Sequence, residues 1–285
     1  MKAGVFVLFL LFWNCFRVLG QDPIRLGRVS NPELQEISGI IPSSIHEGLF
    51  WVHNDSGDRP QVYLIDSLCN LRHTLVLEGV SLIDAEDIAW FNFQGRPHIL
   101  LADVGNNLCR RDTLHLYIFE EPSIDLLASQ SIVPASAITT LKIKYPDRPR
   151  DTEAVFVDPV DHRVYCISKR DFRSQVFSFP LSLSDSTLQI LTPEVTLPFN
   201  FVTATDISRD GKRILMKNLV NIYYWERKKG ENICKTLQRA ARIVPYKIEP
   251  QGEALCFDLH RDPFFYTISE RPLGLDSYLY RYVID

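Results

Sequence analysis

Five oxygen-bearing side chains stand just ahead of short apolar runs: Ser38, Glu86, Glu153, Thr205 and Glu253. Their settings are Gln35-Glu36-Ile37-Ser38-Gly39-Ile40, Asp84-Ala85-Glu86-Asp87-Ile88, Asp151-Thr152-Glu153-Ala154-Val155, Thr203-Ala204-Thr205-Asp206-Ile207 and Pro250-Gln251-Gly252-Glu253-Ala254-Leu255. Three carboxylates and two hydroxyls brought to one place form an all-oxygen, anionic donor set. Such a set suits Ca²⁺, a hard cation that takes about six to eight oxygen ligands. Like charges at close range repel by several kcal/mol at intermediate dielectric. A cation, a proton or intervening water must relieve them. The alternative is that the five groups hydrogen-bond neighbouring backbone and act as a plug.

A second polar set follows the first. Asp55, Asp103, Lys169 and Glu270 lie 16 or 17 residues after their partners, and Lys217 lies 12 after Thr205. With Asn54, Asn106, Asn107, Arg170 and Arg271 they make a rim of mixed charge. Cations beside a metal and a carboxylate are what phosphoryl transfer requires. In that reading Asn54, Lys169, Arg170, Lys217 and Arg271 hold phosphate oxygens. Asp55 orients or deprotonates the attacking water, with Asp103 in reserve. The alternative is that strand ends are polar because loops are solvated. His53 is expected to point into its sheet.

The elements that position these residues follow from the spacing. The five ring positions lie 48, 67, 52 and 48 residues apart. A period near fifty indicates one supersecondary unit per repeat, as in a propeller. An offset of 16 or 17 fits a strand out, a turn and a strand back. The expectation is an all-β, five-bladed β-propeller forming one domain over residues 21–285. The first strand of each blade lines a central channel, so the five ring positions meet at one mouth. The last blade shows only three strands, at residues 254–259, 264–269 and 277–283. The spare lead-in strand at 24–29 fills the fourth place and covers an edge that would otherwise lie open. An insert at 120–137 lengthens blade two, with a short helix expected around 124–130.

The chain has 285 residues, 46% apolar and 23% charged, with a net charge of −4. No basic tail or stripe occurs, which argues against a nucleic-acid partner. Residues 1–20 read as a signal peptide: Lys2, an apolar run too short to span a bilayer, and small Gly20 before Gln21. The expectation is a secreted protein free of the membrane after cleavage; a retained anchor is the alternative. Five cysteines remain beyond Cys15, an odd number that leaves at least one thiol unpaired. Cys166 and Cys256 sit in strands, whereas Cys69, Cys109 and Cys234 fall in turns where pairing is open. No zinc-type spacing occurs. Asn54-Asp55-Ser56 is a glycosylation sequon; a glycan there would crowd the mouth.

The motif order resembles the secreted calcium-activated nucleotidases, the apyrases with a five-bladed propeller. That family's inner positions run Ser, Glu, Glu, Ser, Glu around a central calcium, against Ser38, Glu86, Glu153, Thr205 and Glu253 here. Its acidic turn in blade one is matched by Asn54-Asp55-Ser56-Gly57, its paired basic residues by Lys169-Arg170, and its blade-four lysine by Lys217. The resemblance spans most of residues 36–257 as a motif order. It departs at Thr205, at Asp103-Val104-Gly105-Asn106-Asn107, and in lacking the acidic-glycine loop late in blade one. The stretches Trp51-Val52-His53-Asn54-Asp55-Ser56-Gly57 and Ala85-Glu86-Asp87-Ile88-Ala89 also resemble secreted bacterial propellers of unassigned function. The resemblance implies calcium and hydrolysis of nucleoside di- or triphosphates. The competing reading is a non-catalytic secreted propeller that binds a protein, a glycan or a small ligand.

Overall fold

In the computed structural model, which describes residues 22–55, 57–184 and 187–284, five small and mainly antiparallel sheets form a ring. The inner strands are β2 (Ile37–Pro42), β6 (Ala85–Phe93), β11 (Thr152–Val157), β16 (Val202–Ile207) and β20 (Ala254–Phe257). Each packs on the next, and β20 returns to β2. The chain is a five-bladed β-propeller. The expected leader, including Gln21, lies outside the described residues.

Each inner strand pairs with a second strand that runs back towards the mouth: β3 (Leu49–Asn54), β7 (Arg96–Asp103), β12 (Arg163–Ser168), β17 (Arg213–Asn218) and β21 (Phe264–Ile268). These strands read as continuous apolar runs because both of their faces are covered. Apolar side chains wedge between successive blades; Leu100, Val155 and Phe177, for instance, share one buried cluster. Burying such area contributes roughly 25 cal/mol per Å², so the inter-blade seams hold the ring together.

Ring closure follows the expected route. The lead-in strand β1 (Ile24–Arg28) pairs antiparallel with the last strand β22 (Tyr278–Val283), giving the sheet order β1-β22-β21-β20. Val29 continues it, its N–H donating to the Ser277 carbonyl at 3.0 Å.

Two outer edges are covered in a way that the repeat did not show. The blade-two insert forms no helix at 124–130. Its strand β9 (Gln130–Val133) instead pairs parallel with blade one's outer strand β5 (Leu71–Leu77). The stretch at 188–196 is split between two blades. Its first part, β14 (Leu188–Ile190), joins blade two by pairing with β10 (Thr139–Lys144). Its second part, β15 (Thr192–Thr196), completes blade three against β13 (Gln175–Pro180). One short helix, α1 (Ile233–Leu237), was not expected; Asn232 caps it by accepting from the Lys235 N–H.

Candidate functional site

The mouth of the channel is built by a repeated irregularity. In β2, β6, β11 and β16 the ladder slips by one residue at the end nearest the mouth, and the residues bulged out are Ser38, Glu86, Glu153 and Thr203. A β-bulge re-aims one side chain out of the pleat. In blade five Glu253 stands immediately before β20.

This register corrects one member of the expected ring. Thr203, not Thr205, is equivalent to Ser38, Glu86 and Glu153. The Thr203 hydroxyl donates to the Gly252 carbonyl at 3.1 Å, much as Ser38 donates to the Glu86 carbonyl at 3.1 Å. Thr205 sits two residues deeper and donates to the Leu215 carbonyl within its own sheet at 2.9 Å. The same slip moves the rim. Counting 16 from Thr203 reaches exposed Leu219, whereas Lys217 pairs with Ala204 inside the blade. Lys217 is fully buried. Its ammonium donates to Glu249 at 3.1 Å and lies 4.7 Å from the Tyr246 ring centroid. Burial lowers its pKa against the pull of Glu249. A lysine enclosed in this way is not a rim cation.

Lys169 occupies the middle of the ring. Its Nζ donates to Glu153 Oε2 at 2.7 Å and to Glu253 Oε1 at 3.1 Å. It therefore spans blades three and five, which are not neighbours. Burial disfavours the ammonium, but the two carboxylates outweigh this and hold its pKa above the ordinary lysine value. At the other end of the channel the Arg209 guanidinium of blade four lies 5.5 Å from the Trp90 ring of blade two, a second cationic contact between non-adjacent blades.

Lys169 is shared by Glu153 and Glu253, and the densest group of acids lies to one side of it. Oxygens of Asp55, Asp84 and Glu86 lie within 4.8 Å of one another, and so do oxygens of Glu86, Asp151 and Glu153. Glu86 belongs to both groups. Its carboxyl is pushed far above the usual range, first by burial and then by Glu153, Asp55 and Asp84. Burial and neighbouring Asp151 also raise Asp84. Gly105 makes the crowding possible: a Cβ there would lie 2.3 Å from Glu86 Oε1 and 2.4 Å from the Asp84 carboxyl. The donor set is all oxygen and strongly anionic, which fits Ca²⁺ better than softer metals. Asp84 and Asp151 were not anticipated as members. Both stand just ahead of inner strands, two residues before Glu86 and Glu153, and that repeated Asp-x-Glu was the available signal.

The other expected site residues have definite places. Asp103 is fully buried and forms a two-pronged pair with Arg111, at 3.0 and 2.7 Å, while accepting from the Asp84 N–H at 2.7 Å. These contacts leave it a scaffold for the 103–111 loop rather than a base facing the mouth. Arg170 donates through Nε to Asp151 at 2.6 Å and through Nη2 to Asn107, with its side chain 45% exposed. Asn106 is buried; its own N–H donates to Asp151 at 2.8 Å. The Arg271 N–H donates to the Gln35 carbonyl at 2.8 Å, tying blade five to the lead-in. Glu270 is raised to about 8 by burial and by Glu253. His53 is buried in its sheet as expected, and burial lowers it to about 4.

Asn54 is also buried. Its amide donates to the Glu33 carbonyl at 2.7 Å and to Asp58 Oδ2 at 2.8 Å. Both N–H bonds of the sequon asparagine are used inside the fold, so this arrangement leaves no amide for a glycan. Among the described residues Cys69, Cys109, Cys166, Cys234 and Cys256 are all free thiols.

No protein-family model matches the chain, and no curated protein does. Solved structures do resemble it. A structure of a nidogen/laminin complex is 9% identical with a TM-score of 0.50; the match covers 83% of this chain and 73% of that one. A luciferin-regenerating enzyme is 11% identical at 0.48, covering 92% and 96%. An auxiliary nutrient binding protein from Bacteroides thetaiotaomicron is 12% identical at 0.48, covering 86% of this chain, which spans 58% of that protein. At such identities the likeness is one of fold alone, and no family match stands behind the apyrase resemblance.

Proposed function

We propose that this chain is a calcium-binding propeller, acting outside the cell, whose channel mouth presents the cation to a small oxygen-rich ligand. The observation that carries the reading is the arc Asp55, Asp84, Glu86, Asp151 and Glu153, in which four carboxylates crowd around that of Glu86, with Lys169 bonded to Glu153 and Arg170 to Asp151. Such an arc is relieved by a bound cation or by protonation. Asp55, Asp84, Glu86 and Asp151 would hold the ion, with Glu153 shared between it and Lys169. Bound there, Ca²⁺ would supply a Lewis-acidic centre that polarises a coordinated oxygen. The chain's own part is to orient: Gly105 lets the carboxylates approach, Arg170 fixes Asp151, and Lys169 bridges Glu153 and Glu253.

Calcium titrated calorimetrically into chelator-treated protein tests this reading. The expected result is one site that is lost in Glu86→Gln. A protein that takes up no heat with Ca²⁺, and whose melting temperature ignores chelator, overturns it.

Hydrolysis of nucleoside di- or triphosphates is the second reading. It is favoured by Arg170, which is half-exposed beside the carboxylate arc and suited to phosphate oxygens. Asp55 would then orient the water. Phosphate release over a nucleotide panel, with and without Ca²⁺, decides it. Activity that falls about a hundredfold or more in Asp55→Asn supports a base. No release from any nucleotide by calcium-loaded protein removes the reading and leaves the binding propeller.

A further inference from the structure

We propose that the cleft of blade one, next to the cation mouth, is a saccharide-binding site in which a neutral polyhydroxylated ligand spans the cleft and the mouth. The inference rests on the reading of the mouth given above. The cleft has a volume of about 630 Å³, room for one or two sugar rings. Glu36, Asn54, Asp58, Arg59, Gln61 and Gln130 line it. It adjoins the carboxylate arc directly: Asn54 precedes Asp55, and the Asp55 N–H donates to the Glu36 carbonyl at 2.8 Å.

The lining selects the ligand by exclusion. Three carboxylates, Glu33, Glu36 and Asp58, face a single arginine, Arg59, so a phosphate chain would meet repulsion. Tyr63 is the one aromatic among the lining residues and its ring is buried, which leaves no platform for a nucleobase. Apolar lining is limited to Pro32 and Leu71, too little to hold a greasy peptide. Planar amides and carboxylates remain. They offer paired donors and acceptors, which match the alternating hydroxyls of a sugar.

The floor is already ordered. Asp58 Oδ2 accepts from Asn54 at 2.8 Å and from the Tyr63 hydroxyl at 2.7 Å, and Gln61 donates to that same hydroxyl at 2.5 Å. Fixing these groups in advance lowers the entropy cost of binding. A divalent cation at Asp55 would take neighbouring hydroxyls of the same ligand, since its ligands are oxygens.

A printed glycan array probed in millimolar Ca²⁺, with calorimetry on the methyl glycoside of any bound sugar, tests the proposal. The expected result is a bound glycan whose affinity falls about tenfold in Gln61→Ala/Gln130→Ala, the loss of one or two hydrogen bonds, while calcium affinity is unchanged. Gln130 is exposed, so Gln130→Ala alone serves as the variant that keeps the fold. A protein that binds calcium but no glycan overturns the proposal and spares the mouth. So does glycan binding indifferent to both glutamines, or displacement of the glycan by spermidine, which would mark a cation site. A glycan bound through the glutamines by protein that takes no calcium upholds the cleft and removes the mouth reading.

Discussion

Lys169 of blade three reaches Glu253 of blade five at 3.1 Å while holding Glu153 of its own blade at 2.7 Å. The ammonium is an internal cation at the centre of the ring, where a metal was expected from the motif. It stands between Glu253 on one side and, on the other, the acid-rich arc around Glu86.

Replacing this lysine separates the two kinds of compensation. Lys169→Met leaves Glu153 and Glu253 buried without their shared cation, and breaking a buried pair in this way costs about 3–5 kcal/mol. Thermal unfolding in chelator should show that loss. Added Ca²⁺ should recover part of it, because the freed carboxylates then face the ion. A melting curve equal to that of the wild type would show that the bridge is not maintained in solution.

Gly105→Ala tests the cradle. A methyl group 2.3 Å from Glu86 Oε1 cannot be accommodated without moving Glu86 or Asp84. Calcium affinity should fall about tenfold or more, as expected when ligand geometry is disturbed. The fold should persist, since Gly105 lies in a loop. Unchanged calorimetry would place the ion elsewhere.

Stability should depend on pH in a definite direction. Glu86 in the folded chain is raised well above its ordinary value of 4.5, chiefly by burial and by Glu153, and Glu270 is raised to about 8 by burial and Glu253. The folded state therefore keeps protons that the unfolded chain releases above about pH 4.5, so the stabilisation is complete below that pH and is lost as the pH rises. In chelator the melting temperature should decline from about pH 5 to about pH 8. Glu86→Gln should flatten that decline, and saturating Ca²⁺ should oppose it by favouring the ionised arc. A melting temperature that climbs over this range would contradict the assignment.

Asp103 and Asp55 should differ in what they affect. Asp103→Ala strands the Arg111 guanidinium and the Asp84 N–H and should cost about 3–5 kcal/mol, read from denaturant unfolding. Asp55→Asn should change calcium affinity with little change in stability. Equal destabilisation by both would erase the distinction between scaffold and site.

Removal of residues 22–30 should open the ring. The strand β22 would lose its partner β1, and buried Val29 would be deleted with it. An unpaired edge is a template for association, so light scattering should show aggregation. A monomer with the wild-type melting temperature would show that closure contributes little.

Much of this fold was legible in the chain because inner strands of a propeller repeat both pattern and place. The strands at 264–269 and 277–283 of the last blade stand out as apolar runs between turn residues, and they form as Phe264–Ile268 and Tyr278–Val283. The closing strand was visible as a run without a partner facing a blade one strand short. The threonine register was not, because Thr203 and Thr205 are the same residue type two apart and would share one face of a regular strand, whereas the bulge sets Thr203 apart. The offset of 12 against 16 or 17 elsewhere was the only warning.

By itself the sequence determined the number of blades, the closure of the ring and the gathering of acids at one mouth. These follow from periodicity and from the alternation of a strand, which are local properties. Only the tertiary structure decided how those acids are shared among cations and with one another. That depends on Lys169 crossing the ring, on Lys217 being drawn into the blade towards Glu249, and on Gly105 admitting Asp84 and Glu86 to one another. Each of these is a contact between distant parts of the chain. Charge compensation acts through distance and burial, and neither is written in the spacing of residues along the chain.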